Sequence, residues 1–410
     1  MSNKKLLSVF EQQEIAVTEN ARESGLSWRE YTLLEKYGEK TNYRLFTIYG
    51  KRVKFHQYVG VFRAGDLTIE ILPKTVNSNS DRRLARSNFY RLLGLAQKWQ
   101  RGLPTSNSQL MVNPGIPFDE RICAELLDKL YQLVHSGSFT QPGEEITEAS
   151  YYGGKVLFNK QFRKAPPRNL QWTTRKHHTK AQRPVNHWLS LILVLIRSES
   201  RTEQLRSRAG DLQVFFPEPM KEADFAQYRF PVNLPPVYRP VLALARKLAS
   251  IYRPDYHGDG EGLLFDMNQL FEAAITNLLK QGLPENWEIK VKPTYRFWGE
   301  QVLQPDIMIS APGQIIVLDC KWKKLPGNRV NNDDLRQIYT YCKYSGASKG
   351  ILVYPCTGKT TGFSYPFKSE AFPASVSVTC EVKFIDLFKI PDKQMIQSIF
   401  TNLFVQDQHQ

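Results

Sequence analysis

The chain has 410 residues, of which 41% are hydrophobic and 23% charged, values that exclude a disordered or fibrous protein and leave room for two or three globular domains. A net charge of +15 favours a polyanionic partner, although charge alone also suits a membrane surface or an acidic protein. The five cysteines (Cys123, Cys320, Cys342, Cys356 and Cys380) form no Cys-x-x-Cys pair, which argues against a disulfide framework, a zinc ribbon or an iron–sulfur cluster. The chemistry must come from acids and bases.

No membrane segment is expected: the longest apolar run, Trp188 to Ile196, is too short to cross a bilayer and ends at Arg197. At the N-terminus, Lys4 and Lys5 precede only a brief apolar patch and then Glu11-Gln12-Gln13-Glu14, so no signal peptide is read and a cytoplasmic location is expected.

In chain order, Tyr43–Tyr49, Val53–Val59 and Asp66–Leu72 alternate with period two and suggest a small antiparallel sheet. Helical periodicity follows over 81–100 and 119–135, and the Gly/Pro-punctuated stretch Gln141–Gly154 reads as a join. From Ala149 to Ser198 there is no acid, while Lys155, Lys160, Arg163, Lys164, Arg168, Arg175, Lys176, Lys180 and Arg183 interleave with Tyr151, Tyr152, Phe158, Phe162 and Trp172. Such a segment can neutralise phosphates and stack on bases, or serve as a solvated loop or a surface for an acidic partner. His177 and His178 have no acids near them in sequence and read as part of this segment. Helices are expected over 184–197, 201–213 and 237–251, and the turn-forming linker Arg253–Gly262 marks a boundary. The resulting partition is an α+β region over 1–140, a basic middle region over 141–255 and an α/β region over 256–410.

The last region is read as a helix over 265–279, strands at 289–296, 304–309 and 315–321, a helix over 332–344, strands at 350–354 and 376–385, and a closing helix over 392–403. Helices flanking a mixed sheet in this order form an α/β layer fold. Two apolar strands, Gln304-Pro305-Asp306-Ile307-Met308-Ile309 and Ile315-Ile316-Val317-Leu318-Asp319-Cys320-Lys321, flank the turn Ala311-Pro312-Gly313. Folding about that turn brings Asp306 close to Asp319, and alternation puts Lys321 on the face of Asp319. An Asp at the foot of an apolar strand is awkward to bury without a partner or a metal. Two such acids and an ammonium suit one hard divalent cation, Mg²⁺ with Mn²⁺ as a substitute, acting on a phosphodiester. Glu272 lies beside the buried face of its helix, either as a further carboxylate for the metal or as a solvent-facing acid. Gln337 and Tyr341, four apart on one helix face, either position a phosphate or water or pack at the core edge.

Glu272, Pro305-Asp306, Asp319-Cys320-Lys321 and Gln337-x-x-x-Tyr341, on helix, strand, strand and helix, resemble the PD-(D/E)xK nuclease fold with its RecB-like extra motif. The stretch Phe265–Glu272 and Gly65–Lys74 resemble the McrC family, the nuclease subunit of 5-methylcytosine-specific restriction systems. The resemblance implies a restriction-endonuclease-like C-terminal domain that cleaves double-stranded modified DNA. It also implies that the N-terminal half docks on a McrB-like AAA+ GTPase ring, stimulates its GTP hydrolysis, and leaves recognition of the modified base to that partner. GTP would then be bound by the partner. Within this chain, Thr357-Gly358-Lys359-Thr360 is not a phosphate-binding loop, because Val353 stands where a Gly is required. Two other functions remain open from sequence: an autonomous repair or transposon-type nuclease, and an adaptor that activates an AAA+ partner without cutting.

Overall fold

The computed structural model describes residues 5–18, 25–40, 44–74, 81–96, 115–136, 139, 141–149, 155–157, 172–180, 184–225, 227–231, 234–253, 262–325, 327, 329–356, 361–367, 378–388 and 403–404. Apolar alternation at the start of the chain yields β1 (Lys5–Phe10), β2 (Glu14–Ala16), α1 (Trp28–Lys40), β3 (Phe46–Tyr49), β4 (Arg52–Phe55), β5 (Tyr58–Ala64), β6 (Leu67–Leu72) and α2 (Arg82–Leu95). The single antiparallel sheet expected here is two sheets. One has the order β2-β4-β3; in the other β1 runs parallel to β6, and β6 antiparallel to β5. The expected 53–59 strand breaks at His56 and Gln57, where the chain passes from one sheet to the other.

Every residue of β6 is buried, Glu70 included. A carboxylate there needs donors, and α2 and β1 supply them. Arg86 Nη2 lies 2.6 Å from Glu70 Oε2 and its Nε donates to Oε1 at 2.9 Å, while Ser8 Oγ donates to Oε2 at 2.8 Å.

The middle of the chain forms α3 (Phe118–His135), β7 (Gln141–Ala149), β8 (Lys155–Val156), β9 (Trp172–Lys180), α4 (Pro184–Glu199), α5 (Glu203–Gln213), α6 (Glu222–Phe225) and α7 (Tyr238–Tyr252). The stretch expected as a join therefore holds a strand. β9 is central in the order β7-β9-β8, so Pro142 sits on an edge strand, where a missing N–H is tolerated. The register sets Glu145 opposite Lys176 and Glu144 opposite His177. The helices carry a buried polar anchor: Arg201 Nη2 contacts Asp119 at 2.6 and 2.7 Å, and Ser200 Oγ donates to Glu120 at 2.8 Å.

The last third forms β10 (Leu263–Asp266), α8 (Met267–Gly282), β11 (Glu288–Val291), β12 (Tyr295–Trp298), β13 (Gln301–Leu303), β14 (Ile307–Ala311), β15 (Gln314–Cys320), α9 (Asn332–Ser345), β16 (Lys349–Pro355), β17 (Phe363–Pro366) and β18 (Thr379–Ile385). The expected helix from 265 begins two residues later, because Phe265 and Asp266 complete β10, which pairs antiparallel with β5. Asp266 then caps α8, accepting from Asn268 N and Gln269 N. The expected 289–296 strand is two strands, β11 and β12, and the second forms its own hairpin with β13. But for its last residue, the expected closing helix lies outside the described residues.

The main sheet has the order β11-β14-β15-β16-β18-β17. β14 and β15 are antiparallel, and β15, β16 and β18 are mutually parallel. The expected mixed sheet with flanking helices is therefore present. α9 packs closely on it: a Cβ at Gly350 of β16 would lie 2.6 Å from Ile338 Cγ1 and 2.9 Å from Cys342 Sγ.

Residues Met1–Arg101, Thr105–Phe118 and Glu261–Gln410 form one compact unit, and Gly102–Pro104 with Asp119–Gly260 another. This division differs from the expected 1–140, 141–255 and 256–410. The β5–β10 pairing is the physical reason, because it stitches the start of the last third into the N-terminal sheet.

Candidate active site

The β14–β15 register pairs Ile307 with Leu318, and one step further it sets Asp306 against Asp319 at the end of the hairpin. Asp319 is 3% exposed. Asp306 Oδ2 accepts from the backbone N–H of Cys320 at 2.8 Å. Lys321 Nζ lies 2.6 Å from Asp319 Oδ2, a close ion pair. The same ammonium donates to Gln337 Oε1 at 2.7 Å, and Gln337 Nε2 donates to Tyr341 Oη at 2.9 Å. Asp306, Asp319, Lys321, Gln337 and Tyr341 thus converge, as the two periodicities of strand and helix require.

Glu272 sits at the margin of this group. Its Oε2 is 2.9 Å from Lys292 Nζ, and the backbone N–H of Lys292 donates to the Asp306 carbonyl at 2.9 Å. Lys292 has φ 49°, a left-handed conformation unusual outside glycine. Sequence reasoning missed this residue, since nothing local marks it. It also missed Asp334, whose Oδ2 contacts Lys323 Nζ at 2.5 Å and accepts from Tyr354 Oη at 3.1 Å, and whose Oδ1 lies 3.9 Å from Lys321 Nζ. A signal for Asp334 did exist: positions 334, 337 and 341 share one helix face.

Burial is the main cause of the electrostatics here. It pushes Asp319 up to about 7, with Asp306 adding to the rise and Lys321 opposing it. Burial likewise raises Asp306, against the Cys320 N–H, Lys321 and Lys292. For Lys321, burial pulls the ammonium down, but Asp319, Asp334 and Asp306 more than offset it and hold it charged. Lys292 behaves in the same way beside Glu272. Two desolvated carboxylates side by side, Asp306 raising Asp319, are the donor chemistry a hard cation would satisfy. Among the described residues no three His, Cys, Asp or Glu side chains gather closely enough to hold a metal alone. Such an ion would therefore take its remaining ligands from water and phosphate.

Of the basic stretch, Lys155 is exposed on β8, and Arg175, Lys176 and Lys180 stand on β9. Lys160, Arg163, Lys164, Arg168, Arg183 and the Thr357–Thr360 segment lie outside the described residues. Among the described residues no helix is long and apolar enough to cross a membrane.

The profile of the McrBC 5-methylcytosine restriction system component family matches residues 53–355. The chain belongs to that family. No curated protein sequence matches it. Among solved structures, the chain is similar to one in the refined half-complex from a tetradecameric assembly of Thermococcus gammatolerans McrB AAA+ hexamers with bound McrC. That match has 18% identity and a TM-score of 0.74, and covers 96% of this chain and 99% of that one. The cryo-EM structure of the Thermococcus gammatolerans McrBC complex also matches, at 17% identity and TM-score 0.51 over 68% of this chain and 89% of that one. At these identities the likeness shows a shared fold, and the McrBC family member described here is a mixed α/β protein of that kind.

Proposed function

We propose that the chain is the Mg²⁺-dependent DNA endonuclease subunit of a modification-dependent restriction complex, on a PD-(D/E)xK core. The observation that carries this reading is the pairing of Asp306 with buried Asp319 at the open end of one hairpin, with the Lys321 ammonium 2.6 Å from Asp319. Asp306 and Asp319 would hold the metal, with Glu272 joining through water if Lys292 releases it. A bound Mg²⁺ supplies Lewis-acid polarisation of the phosphoryl oxygen and a more acidic water.

The chain's own groups do the rest. Lys321, held charged by three carboxylates, orients the attacking water and offsets charge on the phosphorane-like transition state. Gln337 fixes the direction of that ammonium, and Tyr341 fixes Gln337. The Cys320 N–H holds the Asp306 carboxylate in place. The basic stretch from Lys155 to Arg183 contributes phosphate or partner contacts.

The partner is an AAA+ GTPase ring of the McrB kind, whose GTP hydrolysis this chain stimulates. Family membership and the fold shared with McrB-bound McrC assemblies support that assignment. Residues 5–96 are integral to the unit that bears the acidic centre, so the unit of 119–260 is the better candidate to engage the ring.

Incubation with methylated and unmethylated plasmid and Mg²⁺, with and without GTP and the ring protein, tests the reading. Cutting of methylated DNA alone, only with partner and GTP and stopped by EDTA, is expected. Partner-free cutting of both plasmids would assign an autonomous nuclease instead.

A further inference from the structure

A second feature lies directly behind the acidic centre. A cavity of about 250 Å³ is lined by Glu11, Gln57, Lys74, Trp322, Lys324 and Phe388, among others. One wall comes from the segment that follows β15 and builds the candidate active site. Lys321 serves the acids and the next residue, Trp322, walls the cavity. On α8, Glu272 faces the Lys292 side while its neighbour Phe271 packs on Trp322 with ring centroids 5.5 Å apart. Lys323 also lines the cavity, and its ammonium contacts Asp334, which in turn lies 3.9 Å from Lys321.

The lining is chemically divided. Glu11 is 3% exposed, and its Oε1 accepts from Trp322 Nε1 at 2.7 Å and from the Lys74 N–H at 2.8 Å. Its Oε2 accepts no hydrogen bond among the described residues, and Glu11 lines the cavity. Gln12, another lining residue, holds φ 60° in the β1–β2 turn. Such strain clusters at ligand sites. Exposed Lys74 and Lys324 stand at the rim. A purely apolar ligand would make no use of the Glu11 and Gln57 polar groups in the lining. An inorganic anion would leave the Trp322 and Phe388 surfaces unused.

We propose that this cavity receives one nucleotide of the DNA strand beside the scissile phosphodiester, its base against Trp322 and Phe388 with its polar edge on Glu11 and Gln57, and its phosphate at Lys74 and Lys324. The position of the cavity relative to the cut rests on the nuclease reading above; its ligand chemistry does not. Burial pushes Glu11 up to about 7, so near neutral pH the group both donates and accepts, as base edges require. The volume admits a single nucleotide and no duplex, which makes the ligand an unpaired or frayed residue.

The test uses the full-length chain in EDTA, with fluorescence anisotropy of a short single-stranded oligonucleotide and its abasic counterpart of equal phosphate count. The base-bearing strand should bind about tenfold tighter, the scale of one stacked base. Glu11→Gln, which keeps an acceptor for Trp322 and the Lys74 N–H, and Gln57→Phe, which plugs the cavity, should each cut that preference below about twofold. Thermal melts confirm that both variants fold. No preference in the wild type, or a preference unchanged in both variants, would overturn the proposal. Displacement of the oligonucleotide by a free deoxynucleoside monophosphate at equal affinity would overturn it too, assigning the cavity to a free nucleotide. Asp319→Ala separates the two readings: it should keep the base preference while losing cleavage. Retained cleavage in that variant would sink the nuclease site and leave the cavity standing.

Discussion

Asp319 shows how a site residue can work against the stability of its own fold. Burial and the neighbouring Asp306 raise its carboxyl to about 7, whereas in an unfolded chain it titrates near 4. Folding therefore takes up a proton between these values, and native stability falls as pH rises from the unfolded range through about 7. Asp319→Asn should consequently raise Tm in metal-free buffer, by more at about pH 8 than at about pH 5. Equal shifts at both pH values would show that the native carboxyl is not displaced. The residues that make this centre were unequally legible. Asp306, Asp319 and Lys321 follow from strand alternation and one turn, and Gln337 with Tyr341 from helix spacing. Lys292 acts through an ion pair formed only when distant elements meet, and no local pattern announces it, whereas Asp334 shares the helix face of Gln337 and Tyr341 but shows its role only through its contact with Lys323. Glu272 was legible as a helix acid beside the buried face; its Lys292 partner was not.

Each element carries site residues only as precisely as it is packed. α9 bears Gln337 and Tyr341, and its seat on the sheet depends on the missing side chain of Gly350. Gly350→Ala should push Ile338 and Cys342 outward and cost about 1–3 kcal/mol, measured by urea unfolding. It should also weaken the Lys321–Gln337 contact. A variant as stable as the wild type would mean that α9 yields freely. The strand β6 was easy to predict from its apolar run, but its buried Glu70 was not readable as a structural ion pair, since Arg86 stands on another element. β7 was hidden by Pro142 and Gly143, whose turn-forming tendency outweighs the strand signal unless the edge position is known. Likewise the break at His56 and Gln57 is a change of sheet, and sheet membership is a tertiary property.

At the scale of the whole molecule, the acidic centre belongs to a unit assembled from both ends of the chain. β10 completes the sheet of β5, Asn277 Nδ2 on α8 donates to the Leu95 carbonyl at 3.2 Å, and Arg91 Nε donates to the Leu387 carbonyl at 2.6 Å. A fragment of 256–410 alone would expose the apolar face of α8 and an unpaired β10, so it should lack a cooperative thermal transition by circular dichroism. A sharp transition would restore the simple linear division read from the sequence. The linker at 253–262 was visible as a boundary, and it does border the middle unit; that the chain returns there to its first sheet required the structure. The central claim is that this family member cuts DNA at the Asp306–Asp319 hairpin. The most direct measurement is cleavage of methylated plasmid by Asp319→Ala beside the wild type, with ring protein, GTP and Mg²⁺. A loss of about a hundredfold or more is expected, with stimulation of the partner's GTP hydrolysis retained. Cleavage at the wild-type rate would contradict it.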